Sequence, residues 1–206
     1  MWPEVNHQHL SSESPERLRP TQMSVGLAEV ATKRREWAAL GRKARKLTLE
    51  RQVFPAVLGP KGRYYIIDHH HLGLALIEEK VDAVLIAVYD DLSWLTPAVF
   101  WRTMEFRSWA HPFDARGQRR DFADIPRRLT ALQDDPYRSL AGRVRQAGGC
   151  AKSVVPFAEF LWADFFRPRI GARLIRTAPQ RALREAVRLA RTPQARYLPG
   201  WSGAEE

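Results

Sequence analysis

A β-hairpin, a short helix and a buried strand follow one another in the middle of the chain, and this run restricts the fold more than any other part of the sequence. Residues 59–62, Gly-Pro-Lys-Gly, are a strong turn signal between two strand-like runs, Val53–Leu58 and Arg63–Ile67. The apolar residues of Leu72–Ile77 favour a short helix, and Val81–Tyr89 is typical of a strand with both faces buried. Because the strands are few and short, we predict an α+β fold with a small sheet-and-helix core.

Helical signals dominate the rest of the sequence. Ser24 is predicted to cap the first helix, and two further helices are expected after the cap-plus-proline dipeptides at 96–97 and 135–136. The aromatic-rich segment 156–166 is expected to form a buried helix, and residues 180–190 are amphipathic, with a basic side. The second half of the chain is therefore predicted to be mostly helical.

These signals divide the chain into three predicted parts. Its 206 residues are enough for one core, or for one core with a helical extension. Residues 1–17 carry no periodic apolar pattern and are expected to be a flexible leader. The core is expected in residues 18–95, and residues 96–206 are expected to form a helical extension with a basic C-terminal helix.

Several classes of protein are excluded by what the sequence lacks. Cys150 is the only cysteine, so an intramolecular disulfide or a cysteine-based zinc motif is impossible. The N-terminal residues have no apolar segment typical of a secretory signal, and no apolar run approaches the roughly 20 residues that a membrane span needs. We therefore expect a cytoplasmic protein without a membrane partner.

The charge of the chain predicts an anionic partner. Lysine and arginine number 33 against 23 acidic residues, a formal net charge of +10, which suits DNA or a nucleotide. One basic cluster precedes the hairpin and is opposed only by Glu36 and Glu50. We expect nucleic-acid contacts from six of its members: Arg34, Arg35, Arg42, Lys43, Arg45 and Lys46.

A second basic cluster lies near the C-terminus, where nine arginines between Arg167 and Arg196 are opposed by Glu185. These arginines are typical of a surface that binds a nucleic-acid backbone, but they are equally typical of a solvated helix face. A third interpretation is that this helix docks to an acidic partner or a membrane surface. No helix-turn-helix spacing or other sequence-reading motif is evident in this half of the chain.

Polar side chains are concentrated where the returning strand of the hairpin meets the next helix: Asp68, His69, His70 and His71. A helix N-terminus presents unpaired N–H groups and a partial positive charge, and both favour phosphate. Asp68 is suited to capping the helix, accepting a proton or holding Mg²⁺. The three histidines cannot point to one centre, because neighbouring residues on a helix diverge by about 100°. One or two of them are expected to line a pocket.

The residues around this junction resemble a known family. A strand ending in Ile-Ile-Asp at Asp68 runs into His-His, and residues 19–30 read Arg-Pro-Thr-Gln-x-x-Val-Gly-x-x-Glu-Val. Together they are similar to the ParB/sulfiredoxin superfamily and, more narrowly, to the bacterial ParB-like nucleases. The resemblance implies that this junction binds nucleotide phosphates. It implies a nuclease, or an ATP-dependent phosphotransferase or hydrolase, with Mg²⁺ and a nucleotide as possible cofactors.

Individual residues at this junction either match or depart from the motif of the family. Asp68, His70 and His71 match the motif of the kinase-like members, whereas His69 stands where the family has glycine. Leu72 replaces an arginine that usually binds phosphate. Because His70 occupies the position of the sulfiredoxin cysteine, sulfiredoxin chemistry is excluded.

The resemblance assigns a role to each of these residues. Asp68 would be catalytic and would hold the metal ion, while His70 would be both catalytic and phosphate-binding. Glu29, by its position on the first helix, would assist catalysis, although an exposed ion pair with Lys33 one turn away is the plainer interpretation. The remaining phosphate ligands would be His69, His71, Lys33 and Arg63, the last two compensating for the missing arginine.

The alternative function is a non-catalytic, partition-like protein that binds DNA. In that case the fold would serve as a nucleotide-gated clamp or as a scaffold. The absence of a clear helix-turn-helix in the second half disfavours this alternative.

Overall fold

The computed structural model describes residues 10–203, and these form two compact units. The first unit contains residues 10–25 and 30–133, and the second contains residues 26–29 and 134–203. The chain therefore passes from one unit to the other three times. The segment predicted as the core, residues 18–95, belongs to the first unit except for residues 26–29.

The first unit is built on a mixed sheet of four strands: β1 (Leu10–Glu13), β3 (Phe54–Gly59), β4 (Arg63–Ile66) and β5 (Val84–Asp91). Their order in the sheet is β1-β5-β3-β4. Strand β3 is parallel to β5, whereas β1 pairs antiparallel with β5 and β4 antiparallel with β3. The sheet and the helices of the chain confirm the predicted α+β class.

The predicted hairpin is present and joins β3 to β4. Gly59 pairs with Arg63 at its end, and both Lys61 and Gly62 adopt positive φ angles, 65° and 63°. Glycine tolerates this left-handed conformation without steric cost, which explains the Gly-rich turn sequence.

Helices cover both faces of the sheet. On one face the helix residues Val30, Trp37 and Leu76 pack with Phe54 and Ile86 of the sheet. On the other face the core contains residues of β4 and α4, among them Tyr65, Phe100 and Met104. Burial of these faces is the main stabilising contribution to such a layered unit. The helices that begin before residue 134 are α1 (Leu27–Ala38), α2 (Arg42–Arg51), α3 (His70–Glu78) and α4 (Pro97–Phe106).

The first helix starts later than its sequence predicts. Ser24 does not cap it, because Ser24 lies in a two-residue strand, β2 (Ser24–Val25). Helix α1 begins at Leu27, whose backbone N–H donates to Asp134 Oδ1 at 2.9 Å. The cap comes from a residue more than 100 positions away in the chain, so a local pattern could not reveal it.

Part of the segment that was predicted to be a flexible leader, residues 1–17, forms a strand in the structure. Residues 1–9 lie outside the described residues, but Leu10–Glu13 form strand β1, in register with Val84–Ala87 of β5. The sequence Leu-Ser-Ser-Glu has no apolar alternation, and the strand forms because the edge of β5 supplies its hydrogen-bond partners.

The second unit is helical, as predicted for the second half of the chain. Asp135 caps α5 by accepting from the Tyr137 N–H at 2.9 Å, and its other oxygen accepts from Arg167 at 3.0 Å. The predicted aromatic helix supplies Trp162 and Phe166 to the core, which confirms its buried role. Strand β6 (Gln133–Asp134) precedes four helices: α5 (Pro136–Gln146), α6 (Ala158–Phe166), α7 (Ala172–Thr177) and α8 (Pro179–Ala190).

Helix α8 has a small apolar face and a basic face. Ala182, Ala186 and Ala190 are fully buried, whereas Arg184 and Arg188 are exposed. Within residues 10–203 no helix has the length and apolar content needed to cross a membrane.

Candidate phosphate site at the turn between β4 and α3

The candidate site lies where β4 ends and α3 begins. After Ile66 the chain continues through the buried Ile67 and bends at Asp68 and His69. His69 has φ 64° and ψ 22°, the left-handed conformation, and α3 starts at His70. The side chain of His69 makes no capping hydrogen bond to the helix. A phosphate-sized anion at the first turn of α3 would meet the positive end of the helix dipole.

Asp68 is exposed at this bend. Its Oδ1 accepts from the N–H of His69 at 2.6 Å, so the carboxylate bonds to the bend and does not cap α3. No other hydrogen bond or ion pair engages this side chain within residues 10–203. The carboxylate therefore remains accessible to a cation or to a ligand.

His69 is partly buried beside Lys33. Its ring lies edge-on to Phe54, with the ring centroids 5.5 Å apart. Burial lowers the pKa of His69, the positive charge of Lys33 lowers it further, and Asp68 acts in the opposite direction. His69 is thus neutral at pH 7, and Lys33 lies close enough to the turn to influence its charge.

His70 and His71 are buried, with 3% and 7% of their surface exposed. Nε2 of His70 accepts from the backbone N–H of Thr21 at 3.1 Å, which places the ring proton of the neutral imidazole on Nδ1. The hydroxyl of Thr21 donates to the Ile66 carbonyl at 2.9 Å. His70 therefore ties the segment containing Thr21 to the end of β4.

This tie brings together the two stretches that carry the family resemblance. The Arg19 N–H donates to the Tyr64 carbonyl and the Ile66 N–H donates to the Arg19 carbonyl, both at 2.9 Å. Residues 19–21 consequently run beside β4 and reach the turn at His70. Sequence reasoning did not identify Thr21 as part of the site, although Thr21 lies within the recognised Arg-Pro-Thr-Gln stretch.

Glu29 belongs to the second unit, where its carboxylate accepts from Arg138 at 3.3 Å. Lys33 makes no ion pair within residues 10–203. The pair between Glu29 and Lys33 that offered the plainer interpretation is therefore absent from the described residues.

The six residues expected to contact nucleic acid differ in their surroundings. Arg34 pairs with Glu78 at 2.9 Å and with Glu79 at 2.8 Å, and the bond with Glu79 is the main cause that raises the pKa of Arg34. Arg45 donates to the carbonyls of Trp37 and Ala38, so it holds the end of α1.

The other four are more accessible. Arg35 donates to Thr32 at 2.9 Å, and Lys46 is 4.0 Å from Glu50, a weak exposed pair. Arg42 and Lys43 are exposed and have no ion pair within residues 10–203. Arg42 and Lys43 are therefore the members of the set with most freedom to contact a ligand.

Arg63 lies at the opposite end of β4 from the turn. It groups there with Arg19 and Arg127 around the hydroxyl of Tyr65, and neither Arg19 nor Arg127 was identified from the sequence. Burial raises the pKa of Tyr65, while the three arginines act in the opposite direction. The pKa of Arg19 is lowered, first by burial and then by the charges of Arg63 and Arg127.

A metal ion at the turn would take most of its coordinating oxygens from a bound phosphate and from water. No cluster of three histidine, cysteine, aspartate or glutamate side chains suited to a metal occurs in the described part of the chain. Mg²⁺ usually retains water and needs only one or two protein carboxylates when phosphate oxygens complete its coordination. Asp68 fits that requirement as a single protein ligand.

The chain resembles known proteins over most of its length. The chain is similar, at 47% identity and a TM-score of 0.88, to the crystal structure of protein Atu1540 from Agrobacterium tumefaciens, covering 96% of this chain and 100% of that one. No curated protein matches the chain. A family model described as "Putative ParB-like nuclease" matches residues 14–168, about three quarters of the sequence. The chain therefore belongs to the ParB-like nuclease family that this model describes.

Proposed function

We propose that the protein binds the phosphate of a nucleotide or a nucleic acid at the turn between β4 and α3, and that it cleaves or transfers a phosphoryl group there. The observation that carries the proposal is the position of Lys33 and the exposed Asp68 beside the first turn of α3. A cation, a carboxylate and a helix N-terminus are the groups that phosphoryl transfer most often requires.

Phosphate binding is supported by two sources of positive potential. The N-terminus of α3 offers backbone N–H groups and its dipole, and Lys33 adds a full positive charge. His69, neutral at pH 7, adds a hydrogen-bonding ring without a charge of its own. Lys33 takes over the role of the arginine that Leu72 replaces.

Asp68 is the group that would hold Mg²⁺. The ion would supply charge neutralisation at the phosphate oxygens. The carboxylate itself orients the ion or an attacking water molecule, since one of its oxygens already bonds to the His69 N–H and is fixed in position.

The remaining residues contribute less directly. The catalytic role expected for His70 requires its Nε2 to leave the Thr21 amide, and while that bond is made His70 acts as a positioning residue. Assistance from Glu29 requires its carboxylate to leave Arg138. Arg63 lies at the opposite end of β4 from the turn.

The test is a thermal-shift panel of nucleotides with Mg²⁺, followed by hydrolysis assays on nucleotides and DNA. We expect one of the ligands to stabilise the wild type, and Asp68→Ala and Lys33→Ala to abolish the shift. Asp68→Ala should also lower hydrolysis about 100-fold or more, the loss typical of removing an electrostatic catalytic group.

Two substitutions serve as matched controls. Asp82→Ala and Lys152→Ala remove exposed residues of the same types elsewhere, and both should behave as the wild type. If no nucleotide or oligonucleotide stabilises the wild type, or if Asp68→Ala hydrolyses normally, the proposed site is wrong.

The second candidate function is DNA binding without catalysis. The exposed arginine face of α8 favours it, because a row of cations on a helix suits a phosphate backbone. In that case DNA affinity would be unchanged by Asp68→Ala and His70→Ala, and hydrolysis would be absent from the wild type as well.

A further inference from the structure

A group of arginines lies at the opposite end of β4 from the turn. Strand register places Arg19 directly beside Tyr65, so their side chains lie on the same face of the sheet. Arg63 is two residues before Tyr65 on β4 and therefore shares that face. Arg19, Arg63 and Tyr65 are thus brought together by the backbone itself.

Aromatic contacts connect Tyr65 with the segment that precedes Arg127. Tyr65 packs against Trp101 with ring centroids 5.4 Å apart, and Trp101 stacks on Phe122 at 5.9 Å with the rings 9° from parallel. Arg127 follows five residues later, and its charge acts on both Arg19 and the Tyr65 hydroxyl.

The charges of these three arginines are not balanced by carboxylates in the described part of the chain. Two other arginines of the first unit are neutralised: Arg34 by Glu78 and Glu79, and Arg119 by Glu105. Within residues 10–203, Arg19, Arg63 and Arg127 make no ion pair. Holding three like charges around one partly buried hydroxyl is unfavourable, and a bound anion would relieve that repulsion.

We propose that Arg19, Arg63 and Arg127, with the Tyr65 hydroxyl, form a second phosphate-binding site that holds the backbone of a nucleic-acid strand. Guanidinium groups match phosphate oxygens with paired N–H donors. Arg63 and Arg127 are exposed, so the site is open and suits a phosphodiester that continues on either side. The adjacent Trp101 is partly accessible and offers a ring on which a base can stack.

The test measures the affinity for a fluorescently labelled single-stranded DNA oligonucleotide by anisotropy over a range of salt concentrations. Arg63→Gln and Arg127→Gln are each expected to weaken binding about 10-fold, typical of a lost charge-assisted hydrogen bond. Each should also reduce the slope of log affinity against log salt by about 0.9, because one phosphate contact is lost.

Arg102→Gln is the matched control, since Arg102 is exposed on α4 and its neighbours Phe100 and Met104 occupy the buried side of that helix. It should change the affinity less than either cluster variant. Unchanged affinity and salt slope in both Arg63→Gln and Arg127→Gln would overturn the proposal. Arg127 lies in an exposed loop segment, so its variant remains informative even if substitutions in β4 impair folding.

The two sites can be distinguished by ligand. The cluster variants should keep the thermal shift caused by Mg²⁺ and a mononucleotide, whereas Asp68→Ala should lose it. If the cluster variants lose the mononucleotide shift and keep oligonucleotide binding, the arginines serve a small nucleotide and the proposal fails. Competition by inorganic phosphate alone at equal potency would likewise show a site for free phosphate and not for a strand.

Discussion

At the scale of single residues, the adjacent histidines His69 and His70 have different environments. His69 lies in the left-handed conformation against Phe54, whereas His70 bonds to a backbone amide of another segment. Neighbouring residues at the start of a helix point in different directions, so one short motif places a titratable ring near solvent and an anchor in the core. This division decides which substitutions test stability and which test ligand binding.

The anchoring role of His70 predicts a loss of stability in His70→Ala. The substitution leaves the Thr21 N–H without its acceptor and opens a cavity in a site that is 3% exposed. We expect the free energy of unfolding to fall by about 2–4 kcal/mol, measured by urea denaturation. His70→Gln, which keeps an acceptor, should lose less. An unchanged unfolding midpoint in His70→Ala would show that the bond contributes nothing.

The lowered pKa of His69 predicts a pH dependence of stability. At pH values between the lowered pKa of the folded state and the usual value of 6.5, the His69 imidazole is protonated in the unfolded chain but neutral in the folded chain. The free energy of unfolding should therefore fall as the pH drops below 6.5, towards the lower folded pKa. His69→Gln should remove this contribution. The stability of the wild type relative to His69→Gln should therefore be lower at about pH 5.5 than at about pH 7.5. A difference that is constant with pH would contradict the prediction.

At the scale of secondary structure, elements with local signals were predicted and elements that depend on distant partners were not. The hairpin turn and the helix starts at Thr96-Pro97 and Asp135-Pro136 carry their own caps or turn residues, and the structure confirms them. Strand β1 depends on pairing with β5, and the start of α1 depends on Asp134.

The same reasoning applies to the candidate site. Its place at the junction of a strand and a helix follows from the residues around Asp68, so the sequence predicted it. The bond from Thr21 to His70 and the approach of Lys33 to His69 join segments separated in sequence by 49 and 36 positions. Arg19 and Arg127 meet only because of the strand register and the aromatic row, which no local pattern encodes.

The cap of α5 predicts a large effect of Asp135→Ala. This residue is fully buried, caps the helix through Tyr137 and pairs with Arg167. Its removal leaves the Tyr137 N–H without its acceptor and leaves the partly buried Arg167 with Asp164 as its remaining carboxylate partner, and we expect a loss of about 2–3 kcal/mol in the free energy of unfolding. Asp164→Ala is the matched control, because Asp164 pairs with the same arginine from an exposed position and should cost about 1 kcal/mol or less. Equal effects of the two substitutions would refute the assignment.

At the scale of the whole molecule, the net charge of +10 is unevenly compensated. Arg34, Arg119 and Arg167 are neutralised by nearby carboxylates. The cluster at Tyr65 and the outer face of α8 are not neutralised within residues 10–203. Arg42 and Lys43 of α2 are also exposed and make no ion pair there, so they remain available to a ligand as well.

This distribution predicts that the arginines of α8 act on polyanions alone. Replacing the exposed Arg181, Arg184 and Arg188 by glutamine removes no ion pair within residues 10–203, so the melting temperature should change little. Stabilisation by Mg²⁺ and a nucleotide should also be unchanged, as a thermal-shift titration can show. A lost nucleotide shift in this triple variant would mean that α8 contributes to nucleotide binding.

The three passages of the chain between the two units limit how such a protein can be divided. The first turn of α1 begins with Leu27 and Glu29, which bond to Asp134 and Arg138, while the rest of the helix belongs to the sheet unit. No single cut separates two complete pieces, because a chain that ends near residue 133 keeps Leu27 and Glu29 but loses their partners. Gene fusion or recombination near residue 133 would separate the first turn of α1 from its partners Asp134 and Arg138, so the two units are expected to be inherited together.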